Sequence, residues 1–273
     1  MIPAGFSYVR AGSVQEALDE LARHGGAARL LAGGHSLLPA MKLRRAEPGV
    51  LVDIGRLGEL SYVRVDGDRI AVGALTSHRT LERDPLVAEH VPLLAAAACR
   101  IGDPQVRNRG TIGGSLAHAD PAADLAAAVL ALDGVLVARG PSGVREIPAR
   151  EFFTGPRRSA LAADEMLTEI RLPAAGGLPY AFEKFSRRAL DWAVVGVAVQ
   201  SRPGGGAAVA LIGMGPTPLR ATAVEEALAA GTPAAEAAGL ASRGCEPPDN
   251  VVASSAYRAH LAEVLVGRAL TAL

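Results

Sequence analysis

Two short segments carry the residue types best suited to holding an anion: Ala32-Gly33-Gly34-His35-Ser36 and Thr111-Ile112-Gly113-Gly114-Ser115. A glycine pair lacks Cβ atoms, so the backbone can turn several N–H groups toward one point, and the adjacent hydroxyls of Ser36 and Ser115 add donors. Either pair alone reads first as a tight turn. Two similar loops in one domain shift the reading toward a diphosphate gripped from both sides.

Other chemistries fit these and neighbouring residues less well. A Rossmann-type site wants Gly-x-Gly-x-x-Gly after an early strand, and the chain has no such run. Gly213-Met214-Gly215-Pro216-Thr217-Pro218 comes nearest, but its prolines remove the donors a phosphate loop needs, so it reads as a turn after a strand. The run from His118 to Asp124 contains metal-ligating types. A helix cap explains Asp120, with Pro121 as the first helical residue, and a first-turn dipole contact worth about 0.3–1 kcal/mol explains Asp124. The Asp124 carboxylate could also accept hydrogen bonds from a ribose. Gly113-Gly114-Ser115-Leu116 resembles the start of a nucleophile elbow, yet Ala117 stands where the elbow requires glycine. A serine hydrolase using Ser115 and His118 is the rival from another class. His35 reads equally as a polar loop residue and as a ligand contact. Lys184 reads as the solvated face of an alternating strand, and Trp192, the only tryptophan, as core.

The elements that must position these residues follow from periodicity. Ser13-Val14-Gln15-Glu16 fits a capping box, and Val14, Ala17, Leu18 and Leu21 recur at helical spacing up to Gly25-Gly26. An apolar strand at 28–32 runs into the first glycine pair. Residues 50–54 form a buried strand, and 60–65 and 69–72 flank Asp66-Gly67-Asp68 as a hairpin. A largely helical stretch at 86–101 breaks at Pro92, a polar stretch at 102–109 leads to the second glycine turn, and the apolar run 125–132 is a buried helix. After a strand at 166–172, the best linker is 173–177. Strand candidates at 180–185, 193–200 and 207–212 follow, then a helix at 254–270 with Leu261, Val264 and Leu265 on one face.

Composition sets outer limits. With 273 residues and 49% hydrophobic content, the chain can bury a large core, as one large domain or two of ordinary size. Its 28 basic residues balance 28 acidic ones, so no global field draws it to nucleic acid or an anionic membrane. Only Lys42 and Lys184 are lysines, and the arginine excess beside abundant Ala, Gly and Pro reads as coding bias. Cys99 and Cys245 supply neither a disulfide framework nor the four ligands of an iron–sulfur cluster. The stretch Met1-Ile2-Pro3-Ala4-Gly5-Phe6 lacks a basic region followed by an apolar core, and 125–132 is too short to span a bilayer. A cytoplasmic protein without an integral membrane segment is expected.

The flanks of the glycine pairs add a resemblance. The segment from Ala32 to Pro39, with Met41-Lys42-Leu43-Arg44 after it, resembles the first FAD loop of the carbon monoxide dehydrogenase medium subunit family. The segment from Gln105 to Asp124 resembles the second. Likeness continues through Glu165 to Ile170, Lys184-Phe185-Ser186-Arg187-Arg188, and Tyr257-Arg258 to Leu270, so it covers essentially the whole chain. The family is the flavin subunit or domain of xanthine dehydrogenase-like molybdenum hydroxylases.

The resemblance implies an α+β protein. A vanillyl-alcohol-oxidase-type (PCMH) FAD-binding domain would occupy 1–175, as two α/β subdomains at about 1–55 and 56–175, and a smaller α+β, CO dehydrogenase flavoprotein-like domain 176–273. It implies that Ala32, Gly33, Gly34, His35 and Ser36, with Thr111, Ile112, Gly113, Gly114 and Ser115, wrap the pyrophosphate. Asp124 would bind the ribitol or ribose side, and Ile101 and Leu167 would line the flavin or adenine pocket. Lys184 matches a basic position near the flavin with a register offset of one from the xanthine dehydrogenase branch, where Glu183 aligns. No catalytic residue is implied. The implied activity is electron transfer through FAD, with the molybdenum cofactor in a large subunit and [2Fe-2S] clusters in a small one, assembled as a dimer of heterotrimers. The absent cluster ligands agree with that division of labour, and a flavin-less structural subunit is a further alternative. Carbon monoxide, a purine, an aldehyde and a heteroaromatic ring all fit as substrate of the complex.

Overall fold

The computed structural model describes residues 2–273. Ser13 caps the helix Val14–His24 by accepting from the Glu16 N–H at 3.1 Å. Glu16 reaches back to the Gly12 N–H at 2.7 Å, one residue before the position a capping box uses. This helix packs on a three-stranded parallel sheet in the spatial order Ser7–Arg10, Val50–Asp53, Ala28–Leu31. The edge strand Ser7–Arg10 is mostly exposed, so it lacks the apolar run that makes Val50–Asp53 legible. The strand Ala28–Leu31 ends at the first glycine pair, which feeds a helix, Leu37–Lys42, that periodicity does not predict. That pair therefore sits at the carboxyl edge of a parallel sheet, where open α/β sheets hold ligands.

A second, five-stranded antiparallel sheet runs in the order Val63–Asp66, Arg69–Gly73, Met166–Pro173, Val135–Gly140, Gly143–Pro148. The predicted hairpin turns at Gly67, with φ of 63°. The helices Pro85–His90 and Pro92–Cys99 each begin on proline, so Pro92 ends one helix by starting another. The apolar helix Asp124–Ala131 is buried along its whole length.

Three local readings change. The polar stretch 102–109 contains the helix Pro104–Arg109, capped by Asp103, which accepts from the Val106 N–H at 2.8 Å. The second glycine pair is not a turn: Thr111 caps the helix Ile112–His118, and both glycines lie in its first turn. Asp120 does not cap a helix beginning at Pro121. Its Oδ1 accepts from the Ala122 N–H at 3.0 Å and closes a turn, and the helix starts later, at Asp124.

The carboxyl-terminal sheet is antiparallel, ordered Tyr180–Phe185, Val195–Ser201, Ala207–Ile212, Leu219–Arg220. One face packs against Asp124–Ala131 and the other against the long helix Ser255–Thr271. Coverage on both faces explains why every residue of Ala207–Ile212 is buried. On Ser255–Thr271 the buried stripe takes Leu261, Leu265 and Val266, leaving Val264 only half-buried. The fold is α+β.

Candidate functional site

The two glycine segments, far apart in sequence, meet backbone to backbone. A Cβ on Gly33 would land on the Arg109 carbonyl and 2.9 Å from the Gly110 Cα. A Cβ on Gly114 would sit 2.8 Å from Thr111 Oγ1 and 3.8 Å from the Ala32 Cβ. Glycine is what lets these chains close to contact.

Their N–H groups are used differently. Among the described residues, the N–H groups of Gly33, Gly34, His35 and Ser36 have no acceptor, and the Ser36 hydroxyl makes no capping bond. Gly34 holds φ at 77°, in the left-handed region. In the second segment, Ile112 donates to the Thr76 carbonyl at 3.0 Å and Gly113 to the Ala74 carbonyl at 2.8 Å. Gly114 donates to Thr111 Oγ1 at 3.2 Å and Ser115 to the Thr111 carbonyl at 3.0 Å. A Cβ on Gly113 would come within 2.5 Å of the Ala74 Cβ and 2.6 Å of its carbonyl oxygen. The expectation that both pairs present backbone donors is corrected: only the first does, and the second keeps the Ser115 hydroxyl.

Beneath the seam lies His78, which no motif marks. Its N–H donates to the Gly110 carbonyl at 2.9 Å, and its ring edge lies 2.6–2.7 Å from where a Gly110 Cβ would be. The ring is buried and Nδ1 has no partner. Burial, and then His35 and Arg107, lower its pKa to about 4, so the ring is neutral at pH 7.

A second constellation joins the helix Asp124–Ala131 to the strand Tyr180–Phe185. Asp124 Oδ2 accepts from Lys184 Nζ at 2.8 Å, with both side chains almost fully buried. Lys184 Nζ also donates to the Arg100 carbonyl at 3.0 Å, and Arg100 donates back to the Lys184 carbonyl at 3.3 Å. Lys184 is thus no solvated strand face. Burial raises Asp124 to about 6, against the pull of Lys184 and Arg100, and Asp124 Oδ1 has no partner. Ile101 follows Arg100, half-buried, its carbonyl accepting from Arg107 at 2.9 Å. Leu167 is buried where the strand Met166–Pro173 slips register before Glu169. The next carbonyl, of Thr168, accepts from the Ala74 N–H at 3.0 Å, which ties this bulge to the residue that anchors Gly113.

A family model described as "FAD binding domain in molybdopterin dehydrogenase" matches residues 4–175, and one described as "CO dehydrogenase flavoprotein C-terminal domain" matches 180–273. The chain belongs to the FAD-binding medium-subunit family of the molybdenum hydroxylases. It is 42% identical to a carbon monoxide dehydrogenase medium chain of Hydrogenophaga pseudoflava, over 100% of this chain and 98% of that one. It is 39% identical to the 6-hydroxypseudooxynicotine dehydrogenase complex subunit alpha of Paenarthrobacter nicotinovorans, over 99% and 95%. A solved carbon monoxide dehydrogenase from Hydrogenophaga pseudoflava, lacking the Mo-pyranopterin moiety of its molybdenum cofactor, superposes with a TM-score of 0.96 at 44% identity, covering 100% of this chain and 98% of that one.

As a member of this family the chain is an oxidoreductase subunit with a FAD-binding domain, and its residues fit the cofactor. Unpaired N–H groups at Gly33 to Ser36 suit a diphosphate, and the orphaned Asp124 Oδ1 suits a hydroxyl donor such as ribitol or ribose. The hydrolase reading finds no support: Ser115 lies inside the helix Ile112–His118 instead of at a strand-to-helix elbow, and Asp120 is held by Arg157 at 3.1 Å. Trp192 is not core. It is 58% exposed and lines a cavity of about 640 Å³ bounded by Pro121 and Ala122 on one side and Arg187, Gly213 and Arg258 on the other.

Proposed function

We propose that the FAD diphosphate binds at the seam between the two glycine segments. The observation that carries this reading is the row of unpaired N–H groups from Gly33 to Ser36, facing a segment whose own donors are spent. Ala32 and Ile112 pack the seam, Thr111 and Gly113 hold the second segment in place, and Ser115 adds a hydroxyl. His35 stands at the open edge of the first loop. Asp124 accepts from a sugar hydroxyl through Oδ1, Lys184 holds its other oxygen, and Ile101 and Leu167 supply apolar surface. Bound flavin accepts electrons singly and releases them as a pair, which suits a place between one-electron clusters and a two-electron acceptor.

Assembly with a large molybdopterin subunit and a small [2Fe-2S] subunit, as a dimer of heterotrimers, accounts for a chain with only two cysteines. The reading places the division between cofactor domain and carboxyl-terminal domain near residue 175, with subdomains meeting near residue 55. No helix among the described residues is long and apolar enough to cross a membrane, and a cytoplasmic location is part of the proposal.

The test is flavin absorbance of the purified full chain. Yellow protein, or uptake of added FAD by colourless protein, is expected; a folded chain that does neither overturns the reading. In Gly114→Val the new side chain enters the seam beside Thr111 Oγ1 and Ala32, and FAD should be lost from a protein that remains folded. Unchanged flavin content in that variant would remove the seam from the site.

A further inference from the structure

Nothing in the family match or the motifs assigns a role to His78, yet three layers of backbone depend on it. Its ring lies against Gly110, which could carry no Cβ without striking the ring edge at 2.6–2.7 Å. Gly110 and Arg109 in turn lie against Gly33, which could carry no Cβ without striking them. The order is ring, second segment, first segment. The same stretch of chain also anchors the second segment through its carbonyls, Ala74 to the Gly113 N–H and Thr76 to the Ile112 N–H.

A buried imidazole is an unusual choice for a spacer. Its Nδ1 is sealed from solvent without a partner, which costs free energy that a phenylalanine there would not incur. The charged groups around it leave no compensation for a proton. His35, from the first loop, and Arg107, from the helix Pro104–Arg109, both oppose a proton on the ring. Glu82, one turn further along the helix His78–Arg83, is engaged by Arg107 and Arg79, each at 3.0 Å.

We propose that His78 is a positioning residue for the FAD site: as an uncharged wedge it sets the spacing of the two glycine segments, and a proton on its ring pushes them apart. The proposal rests on the FAD reading above. It acts on this chain's own backbone, so it predicts how tightly FAD is held and how that depends on pH.

The experiment measures FAD affinity of the full chain by quenching of flavin fluorescence, from pH 8 down to the limit of the folded range. The proteins are wild type, His78→Phe, His78→Ala, His78→Lys and, as a control on the neighbouring histidine, His35→Asn. Foldedness at each pH is followed by circular dichroism. Wild type should bind FAD at neutral pH and lose affinity steeply as the pH falls toward about 4, below the range near 6 in which Asp124 titrates. His78→Phe, which keeps a neutral ring, should bind within about threefold of wild type at neutral pH and lose the steep limb near pH 4, while keeping any dependence that Asp124 gives near pH 6. His78→Ala should weaken binding at least tenfold at every pH, and His35→Asn should keep the acid dependence. His78→Lys adds a charge at neutral pH, but it can also unfold, so the comparison of wild type with His78→Phe decides. A limb near pH 4 that survives in His78→Phe, or unchanged affinity in a folded His78→Ala, overturns the wedge. Wild type that binds no FAD at any pH fails the FAD reading itself, a result distinguishable from either.

Discussion

The two glycine pairs look alike in sequence and do opposite things. In the first, backbone donors from Gly33 to Ser36 are unpaired and Gly34 takes a left-handed φ. In the second, four consecutive donors are consumed by Ala74, Thr76 and Thr111, and Gly113 is glycine because the Ala74 backbone occupies the place of its side chain. A glycine pair reports that a Cβ is unwelcome; the partners of its N–H groups report why. One pair leaves its donors unpaired; the other spends them in the joint that holds the two segments together.

This contrast predicts a graded series of effects. The largest belongs to the joint: Gly113→Ala should cost about 3 kcal/mol of stability, because a methyl forced against backbone cannot be relieved by side-chain rearrangement. Chemical denaturation of the variant measures this, and a loss under 1 kcal/mol would make the second pair look like the first. A comparable effect is expected from the residue under the joint. The His78 pKa falls from 6.5 unfolded to about 4 folded, so the unfolded chain takes up the proton first as pH drops. Above pH 6.5 the His78 titration costs no stability; below it the unfolded chain is favoured increasingly, by about 3 kcal/mol near pH 4. Asp124, with its pKa raised to about 6, shifts stability in the opposite sense, its share being fullest at low pH and lost as pH rises through that value. The measurement is therefore the difference between the pH–stability curves of wild type and His78→Phe, which isolates the histidine.

Smaller effects belong to the first loop. Gly34→Ala must hold an alanine at φ of 77° and close to Leu38, at a cost of about 1–2 kcal/mol in thermal or denaturant unfolding. Smallest are the hydroxyls: Ser36→Ala and Ser115→Ala should each weaken FAD binding roughly fivefold to tenfold with little change in stability, as expected for one hydrogen bond of about 1 kcal/mol. If Ser115→Ala were silent while Ser36→Ala was not, the second segment would be purely a joint, and the contrast would sharpen further.

What could be read from the sequence was what is decided nearby. The Ser13 cap, the restart at Pro92, the hairpin at Gly67 and the strand carrying Lys184 all follow from neighbours within a few residues. The site was legible to the same depth, since the glycine pairs announce tight backbone. The spending of the second pair's donors was not legible, because the acceptors Ala74 and Thr76 arrive from a different part of the chain. The Asp124–Lys184 pair spans 60 positions, and nothing in either local pattern marks it as buried. Asp120 misled for a related reason: a carboxylate followed by proline has the look of a cap, but its bond to the Ala122 N–H closes a turn, and a cap without side-chain assistance starts the helix at Asp124. His78 has no pattern around it at all; its importance comes from Gly110, far along the chain.

The helix Asp124–Ala131 carries a last implication, for portability. It has no solvent face, because one side leans on the helix Pro92–Cys99 and the other receives Ala198, Ala208 and Ala210 of the carboxyl-terminal sheet. A cofactor-holding half excised near residue 175 would present this helix bare to water and strand the Asp124 carboxylate without its ammonium. The part that grips the nucleotide is consequently a poor candidate for transplantation: grafted into a foreign scaffold, it would need a surrogate for its neighbour before it could keep its own shape.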